Sequence, residues 1–467
     1  MPRAGARSES CLKSSQLCFL GSWNAERAHN RHRRQRMRSV PNAVRPTAHF
    51  ALGIDFGTSG VRAAVVDIET GFVKKVVEGV QVQGEHCEAS WEEALRKIVQ
   101  SVPDELRENV HRVCVDGTSA SVLLNGKVKL YNYGEPPEVV EKIRKVAPAG
   151  HTAASATSAL AKLVSWGGKG SVEHQTDFLT RLLLASSERL SDWHNALKMG
   201  FDPGAEEWPL WLQDLVSKDA LMDVVRPGTL LGNAESSFGL SRSCQVVAGT
   251  TDSIAAFIAS GACDVGAACT SLGSSLAIKL LSDVRIDESS LGIYSHRHFM
   301  DGPQGNPQWL IGGASNTGGR TLLEVGFSKD ELARLSNEMD LTVPVSKLDL
   351  YPLPPNSVGE RFPVNDPNLL PRLGRKDSTD VDYLRALLES IAEIETRGYM
   401  KLHELGGPYP SVVYSAGGGA FNDTYTAIRQ RRLQVPVKKG RSTDACVGAA
   451  MLAMAGSKTN GTRRAQG

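Results

Sequence analysis

Leu52 to Asp67 reads LGIDFGTSGVRAAVVD. Two apolar runs flank the interruption Gly57-Thr58-Ser59-Gly60, and one carboxylate, Asp55, sits inside the first run. A strand, a tight glycine turn and a second strand fit this pattern and put Asp55 and Thr58 at a hairpin tip. A carboxylate there can face a metal, and turn amides can face phosphate oxygens. An ordinary hairpin uses the same turn-favouring Asp and Gly, so this stretch leaves both readings open.

The unit recurs. After another strand at GFVKKVVEGVQV comes a helix at SWEEALRKIVQSV, where Ser90 and Glu93 have the spacing of a capping box. The β-rich run VHRVCVDGTSASVLL then ends in turn chemistry at Asn125-Gly126. Residues 135–240 read as mostly helical, and the apolar strand CQVVAGTTDS leads into the small-residue helix IAAFIASGA. From Asp264 the plan restarts: AACTSLGSSLAIKLL is again strand, glycine turn, strand. A strand at QWLIGGAS, a long helix at DVDYLRALLESIAEIETRGYMKLHELG and a strand at SVVYSAGGGA follow. In that helix Tyr383, Leu384, Leu387, Leu388, Ile391 and Ile394 form one stripe. The expected fold is therefore α/β: two lobes, each opening with a β-turn-β unit, a duplication with a cleft between them. The expected boundaries are residues 48–262 for the first lobe and 263–457 for the second, with a tail at 458–467.

Composition narrows the class. The 467 residues are 41% hydrophobic and 22% charged, with a formal net charge of +2. That charge hides an asymmetry, because residues 1–47 carry ten Lys/Arg against Glu9 and Glu26. The body is mildly acidic, so nothing in it points to a nucleic-acid surface. The Arg-rich, acid-poor segment 1–47 lacks the apolar core of a secretory signal and reads as a transit peptide. The chloroplast stroma is the expected destination, with the mitochondrion as the alternative. No apolar run reaches the ~18 residues of a membrane span. Eight cysteines occur without a CxxC pair, six of them scattered among apolar neighbours, which favours reduced thiols.

Four turns carry candidate chemistry. Besides Asp55 to Arg62, AGTTDS (248–253) ends a strand in Gly-Thr-Thr and an acid; a helix N-cap is the plain alternative for Asp252. SLGSS (271–275) offers amides and hydroxyls to a phosphate, or is a plain hairpin. SAGGGAFND (415–423) permits close backbone approach to a ligand, or tight strand-to-helix packing. A Walker A loop and the protein-kinase HRD and DFG motifs are absent from the sequence.

In this order the motifs resemble the FGGY carbohydrate kinases, over about Phe50 to Ala455. The family's phosphate pattern is met by Asp55, Gly57, Thr58 and Arg62, its catalytic-acid region by Gly249, Asp252 and Ser253, and its second phosphate turn by Gly273 and Ser274. The adenosine-side residues are met by Gly418, Gly419 and Asn422, and a Lys–Trp signature by Lys162 and Trp166. SDWHNALKMGFD resembles the substrate segment, here with Asp192 and Asn195. VDGTSASVLL, KLVSWGG, GTTDSIAAF, SLGSSLAIKLLS and GGASNTGG resemble the D-ribulose kinases of plants and cyanobacteria. Two departures occur: bacterial xylulose kinases carry Met-His-Gly-Gln where this chain has Asp116-Gly117-Thr118-Ser119, and Ser274 replaces a common Thr.

The resemblance implies a duplicated actin-like ATPase (ribonuclease H-like) fold and transfer of phosphate from ATP, with Mg²⁺, to the primary hydroxyl of D-ribulose. D-xylulose, another ketopentose or a polyol is the alternative sugar. It makes Asp252 the base and Asp55 the Mg²⁺ ligand. Asp55, Ser119, Asp192 and Asp252 meet the sugar, with Asn195 a weaker candidate. Thr58, Ser59, Arg62, Gly273, Ser274, Gly313, Gly418, Gly419 and Asn422 meet the nucleotide. Arg62 either offsets phosphate charge or pairs with an acid of the protein. The expected partners are the sugar and ATP alone, with no nucleic acid or membrane, in a monomer or homodimer.

Overall fold

The computed structural model describes residues 49–58, 60–343, 349–374 and 379–456. The transit-peptide reading of 1–47, the tail 458–467 and the phosphate role of Ser59 fall outside them. The opening hairpin forms as expected: β1 (Phe50–Gly57) and β2 (Gly60–Asp67) pair antiparallel, with Gly57 opposite Gly60. They join β3 (Val73–Val80), β4 (Val110–Gly117), β10 (Leu230–Asn233) and β11 (Gln245–Thr251) in the order β10-β11-β4-β1-β2-β3. Between β4 and β10 lie a three-stranded sheet, β5 (Val122–Leu124), β6 (Lys127–Lys129) and β7 (Glu173–His174), and the pair β8 (Leu190–Asp192) and β9 (Asp223–Val225). The middle region is thus short helices and 3₁₀ turns interleaved with strands rather than mostly helix, because its helices run only a few residues.

The second sheet has the order β14-β15-β13-β12-β16-β17, built from β12 (Ala267–Leu272), β13 (Leu276–Ser282), β14 (His296–Arg297), β15 (Trp309–Ser315), β16 (Val412–Ala416) and β17 (Val437–Lys439). Its spine repeats the first. β15, β13 and β12 pair antiparallel as β3, β2 and β1 do; β16 then β17 add in parallel, as β4 and β11 do. The duplication inferred from two glycine turns is therefore a repeat of whole topology.

The helix expected at Ser90 begins earlier, at Glu88, with Cys87 as N-cap; Ser90 accepts the Cys87 amide instead. Its apolar face, Trp91, Leu95, Ile98 and Val99, covers the first sheet. The striped helix Asp380–Glu404 covers the second, joining Leu384, Leu387 and Ile391 to Ile278, Leu280 and Ile311. Between the sheets lie two small-residue helices, Asp252–Ser260 and Ala445–Ala455. Their core joins Ala51 and Val247 of the first sheet to Ala267, Cys269 and Leu281 of the second. The C-terminal helix, though it follows the second sheet in sequence, packs on β1: a Cβ at Gly53 would lie 2.0 Å from the Cys446 carbonyl oxygen.

Candidate active site

β1, β4 and β11 run parallel, so their carboxyl ends open on one edge of the sheet, where α/β proteins bind ligands. β1 delivers Asp55 there and β4 delivers Asp116, direct neighbours in register. β11 delivers Asp252, the first residue of the following helix. A bulge between Val247 and Thr250 re-aims this strand end, and Gly249 sits where a Cβ would lie 2.2 Å from the Val115 carbonyl oxygen. The N-cap of the helix is Thr251, so Asp252 is not spent as a cap; its Oδ1 accepts only the adjacent Ser253 amide, at 2.6 Å.

The carboxylates share one field. Burial pushes Asp55 up to about 6, the charges of Asp252 and Asp444 add to this, and the adjacent Asp116 carboxyl and the charge of Arg62 oppose it. Asp116, fully buried, is lifted far above the usual carboxylate range by burial and then by Asp55 and Asp252. Burial also raises Asp252, against the Ser253 amide and the ammonium groups of Lys279 and Lys198. Arg62 lies opposite Asp55 in register, 3.9 Å from its Oδ2, which realises the pairing alternative read for it.

Asp55 Oδ1 and both Asp116 oxygens are buried without a hydrogen-bond partner. Orphaned, mutually repelling oxygens of this kind suit a hard divalent cation, so the residues fit Mg²⁺. Among the described residues no three His, Cys, Asp or Glu side chains are grouped to hold a metal. Mg²⁺ needs no such cage, since it keeps several waters and takes one or two carboxylates beside phosphates. Asp116 was missed in the sequence, although VDG repeats the strand-end acid and glycine of IDFG.

The second glycine turn, 273–275, lines a cavity of about 600 Å³ with Gly318, Gly319, Gly418, Gly419 and Asn422. Backbone packs on backbone here: Gly319 N–H donates to the Gly273 carbonyl at 2.9 Å, and a Cβ at Gly419 would lie 2.8 Å from Leu272 Cβ. Gly418 faces open space. Leu332, Ala333 and Leu388 give the cavity an apolar wall, as a flat, weakly polar ring requires. Asn422 caps the helix Asp423–Leu433, accepting the Tyr425 amide at 2.8 Å and donating to Ser336 Oγ at 2.8 Å. Ser274 and Thr58 are exposed at their turn tips. Gly313 does not line this cavity, and a Cβ there would lie 2.5 Å from the ring of Phe362, so packing alone accounts for a glycine at this position.

The loop after β4 is held from inside. Thr118 Oγ1 lies 2.6 Å from Ser121 Oγ and 3.1 Å from Gln175 Oε1, and Ser121 Oγ also accepts the Tyr131 amide. Lys162, fully buried and pulled down to about 8 by burial, donates to the carbonyls of Ala120, Leu130 and Thr157. Ala120, with φ 67°, holds the left-handed bend of the turn. Lys162 of the Lys–Trp signature thus positions this loop, and half-buried Ser119 sits at its tip. Asp192 caps the short helix Trp193–Ala196, accepting the His194 and Asn195 amides and the Asn195 side chain, at 2.6 Å for the last. Burial and then the charge of Asp177 push it up to about 7. Asn195 Oδ1 is buried without a partner.

No family model matches the chain. Solved structures do. The xylulose kinase from Rhodospirillum rubrum aligns with a TM-score of 0.71 at 21% identity, over 87% of this chain and 89% of that one. The chain has the fold of the sugar kinases. The gluconate kinase from Lactobacillus acidophilus (TM-score 0.70, 16% identity) and the Plasmodium falciparum glycerol kinase with ADP (0.71, 14%) each cover 87% of this chain and 89% of their own. This two-lobed, actin-like ATPase fold is the one the family resemblance implied.

Proposed function

We propose that the chain is an ATP-dependent carbohydrate kinase of the FGGY family that phosphorylates the terminal primary hydroxyl of D-ribulose, giving D-ribulose 5-phosphate and ADP. The observation that carries this is the set of acids Asp55, Asp116 and Asp252 on the edge of the parallel strands, in a two-lobed fold whose other lobe offers a glycine-lined cavity. Mg²⁺, when held by Asp55 and Asp116, supplies positive charge beside the nucleotide phosphates. Asp252, whose Oδ2 is not used in capping, takes the proton of the attacking hydroxyl. The glycine turns let backbone amides approach the phosphates, and the lobes exclude water from the cleft. The protein works as a monomer or homodimer, and segment 1–47 directs it to the chloroplast stroma, or alternatively to the mitochondrion.

The sugar assignment rests on the loop after β4. Bacterial xylulose kinases fill it with Met, His and Gln, whereas here Thr118 and Ser121 satisfy each other and only Ser119 remains at the tip. D-Ribulose and D-xylulose differ in configuration at C3, so one hydrogen bond separates them, and a polar group left unpaired by the wrong epimer is costly. The kcat/KM for D-ribulose is expected to exceed that for D-xylulose at least ~tenfold, or ~1.4 kcal/mol in transition-state binding. A panel of ketopentoses and polyols in a coupled ADP assay tests it. Equal or reversed preference transfers the assignment to D-xylulose or another sugar; no sugar-stimulated ADP release at all refutes the kinase.

A further inference from the structure

On β13 the side chains alternate. Ile278 and Leu280 enter the core of the second lobe, while Leu281 enters the core between the lobes. Lys279 lies between Ile278 and Leu280, so it points out of the second-lobe core and toward the first lobe. Its cross-strand neighbours there are small: Cys269 on β12 and Gly312 on β15. Ala277, two residues nearer the glycine turn 273–275, is small as well. Lys279 is thus the one charged side chain of β13, set in a row of small residues that runs back to the turn on the nucleotide side.

It reaches across the cleft. Its Nζ donates to Ser253 Oγ at 3.3 Å, and its ammonium stabilises the ionised form of Asp252. The other groups that act on it are the buried Cys269 thiol, itself pushed up to about 11 by burial, and the ammonium of Lys198, and Lys279 in turn adds to the burial that lowers the basicity of His296. The two histidines and the thiol nearby carry no charge at neutral pH, since His194 also falls, to about 3. Burial draws Lys279 itself down to about 8. A half-buried ammonium is held out of water here beside one acid that the reaction needs ionised, with a second ammonium close by.

We propose that Lys279 is a catalytic residue of the phosphoryl transfer, its ammonium meeting the oxygens of the phosphoryl group as it passes from the nucleotide side of the cleft to the hydroxyl held at Asp252. This rests on the kinase reading. In the step, the bond from the sugar oxygen to the γ-phosphorus forms as the bond to the β,γ-bridging oxygen breaks. That electron pair leaves on ADP, and the hydroxyl proton goes to Asp252. Negative charge on the equatorial oxygens is what a cation fixed beforehand stabilises. Supplying it from β13 makes the charge available only where the two lobes face each other, so ATP without a sugar in place gains little from it.

The test is Lys279→Gln, which keeps a donor for Ser253 Oγ and removes the charge, beside Lys279→Arg, which keeps the charge. In the full-length protein the Gln variant is expected to lose kcat about a hundredfold, the range for removal of one such group. The sugar KM and the melting temperature stay within error, and the Arg variant recovers a tenth or more of the rate. A second readout needs no turnover: ADP with aluminium fluoride and D-ribulose should raise the melting temperature of the wild type, and less so that of the Gln variant. ADP alone should shift both equally. A Gln variant with kcat within threefold of wild type, or an equal response to aluminium fluoride, overturns the role of Lys279 while the kinase stands. A wild type without sugar-stimulated ADP release overturns both.

Discussion

Asp252→Asn isolates the proton acceptor. The side chain is isosteric, and the Asn carbonyl oxygen can still accept the Ser253 amide that now binds Oδ1 at 2.6 Å. Thr251, not Asp252, is the N-cap, so the helix start is preserved. The cavity lined by Gly273, Gly418 and Asn422 does not include this residue, so nucleotide binding is expected to persist. What disappears is a carboxylate able to take a proton. General-base removal costs ~10²–10⁴-fold, which at about 1.36 kcal/mol per decade is ~2.7–5.4 kcal/mol of barrier. The wild-type rate should also rise with pH through the ionisation of Asp252, because the ionised form is the active one. Burial sets that limb above the ordinary carboxylate value of 3.8, and Lys279 and Lys198 limit the rise. The Asn variant should lose the limb. Coupled ADP release at saturating D-ribulose, with ADP affinity measured separately by calorimetry, reads both effects. A variant that keeps more than about a tenth of wild-type kcat refutes Asp252 as the base.

Asp55→Ala and Asp116→Asn should each raise the Mg²⁺ concentration for half-maximal rate, since each removes one hard oxygen ligand; titration of Mg²⁺ at fixed ATP checks this, and unchanged dependence would leave the two acids as shapers of the strand ends. Gly419→Val should raise the KM for ATP and spare that for the sugar, because its Cβ would press on Leu272, whose Cβ is 2.8 Å from that point, and displace the turn at Gly273; steady-state kinetics in both substrates separate the two. Removal of residues 1–47 should leave turnover and melting temperature unchanged and abolish organelle import, followed with a fluorescent fusion; loss of turnover would make the segment part of the enzyme.

What could be read from the sequence was local. Apolar runs broken by a glycine turn define β1–β2 and β12–β13, and the 3.6-residue stripe from Tyr383 to Ile394 defines the long helix. Asp55 and Asp252 stand out as acids at the ends of apolar strands, although hairpin-turn chemistry and a helix N-cap are ordinary reasons for such acids. Asp116 obeys the same rule but was absorbed into a sugar-loop comparison, so its role beside Asp55 waited for the β1–β4 register. Lys279 was invisible, since one lysine in an apolar strand reads as an exposed edge residue until the face it occupies is known. The glycine of the GGAS segment pointed to a ligand, whereas Gly313 answers to Phe362, 49 positions on in the chain. The middle region misled because its helices are too short for periodicity to accumulate.

The packing between lobes explains why so much of the chain is small and apolar without being functional in itself. A Cβ on Gly448 would lie 1.8 Å from the Ala255 carbonyl oxygen, so the helices Asp252–Ser260 and Ala445–Ala455 touch backbone to backbone. The second helix also touches β1 at Gly53, two positions before Asp55. Its N-cap, Asp444, is one of the charges that raise the Asp55 pKa. One helix start therefore delivers Asp252, the neighbouring helix start delivers Asp444, and both rest on the strand that delivers Asp55. Contacts at this separation leave no slack, because a packed interior shifts between discrete arrangements and does not stretch. The two helices and the acids at their starts are thus held on β1, and the same core takes in Cys269 and Leu281 of the second sheet.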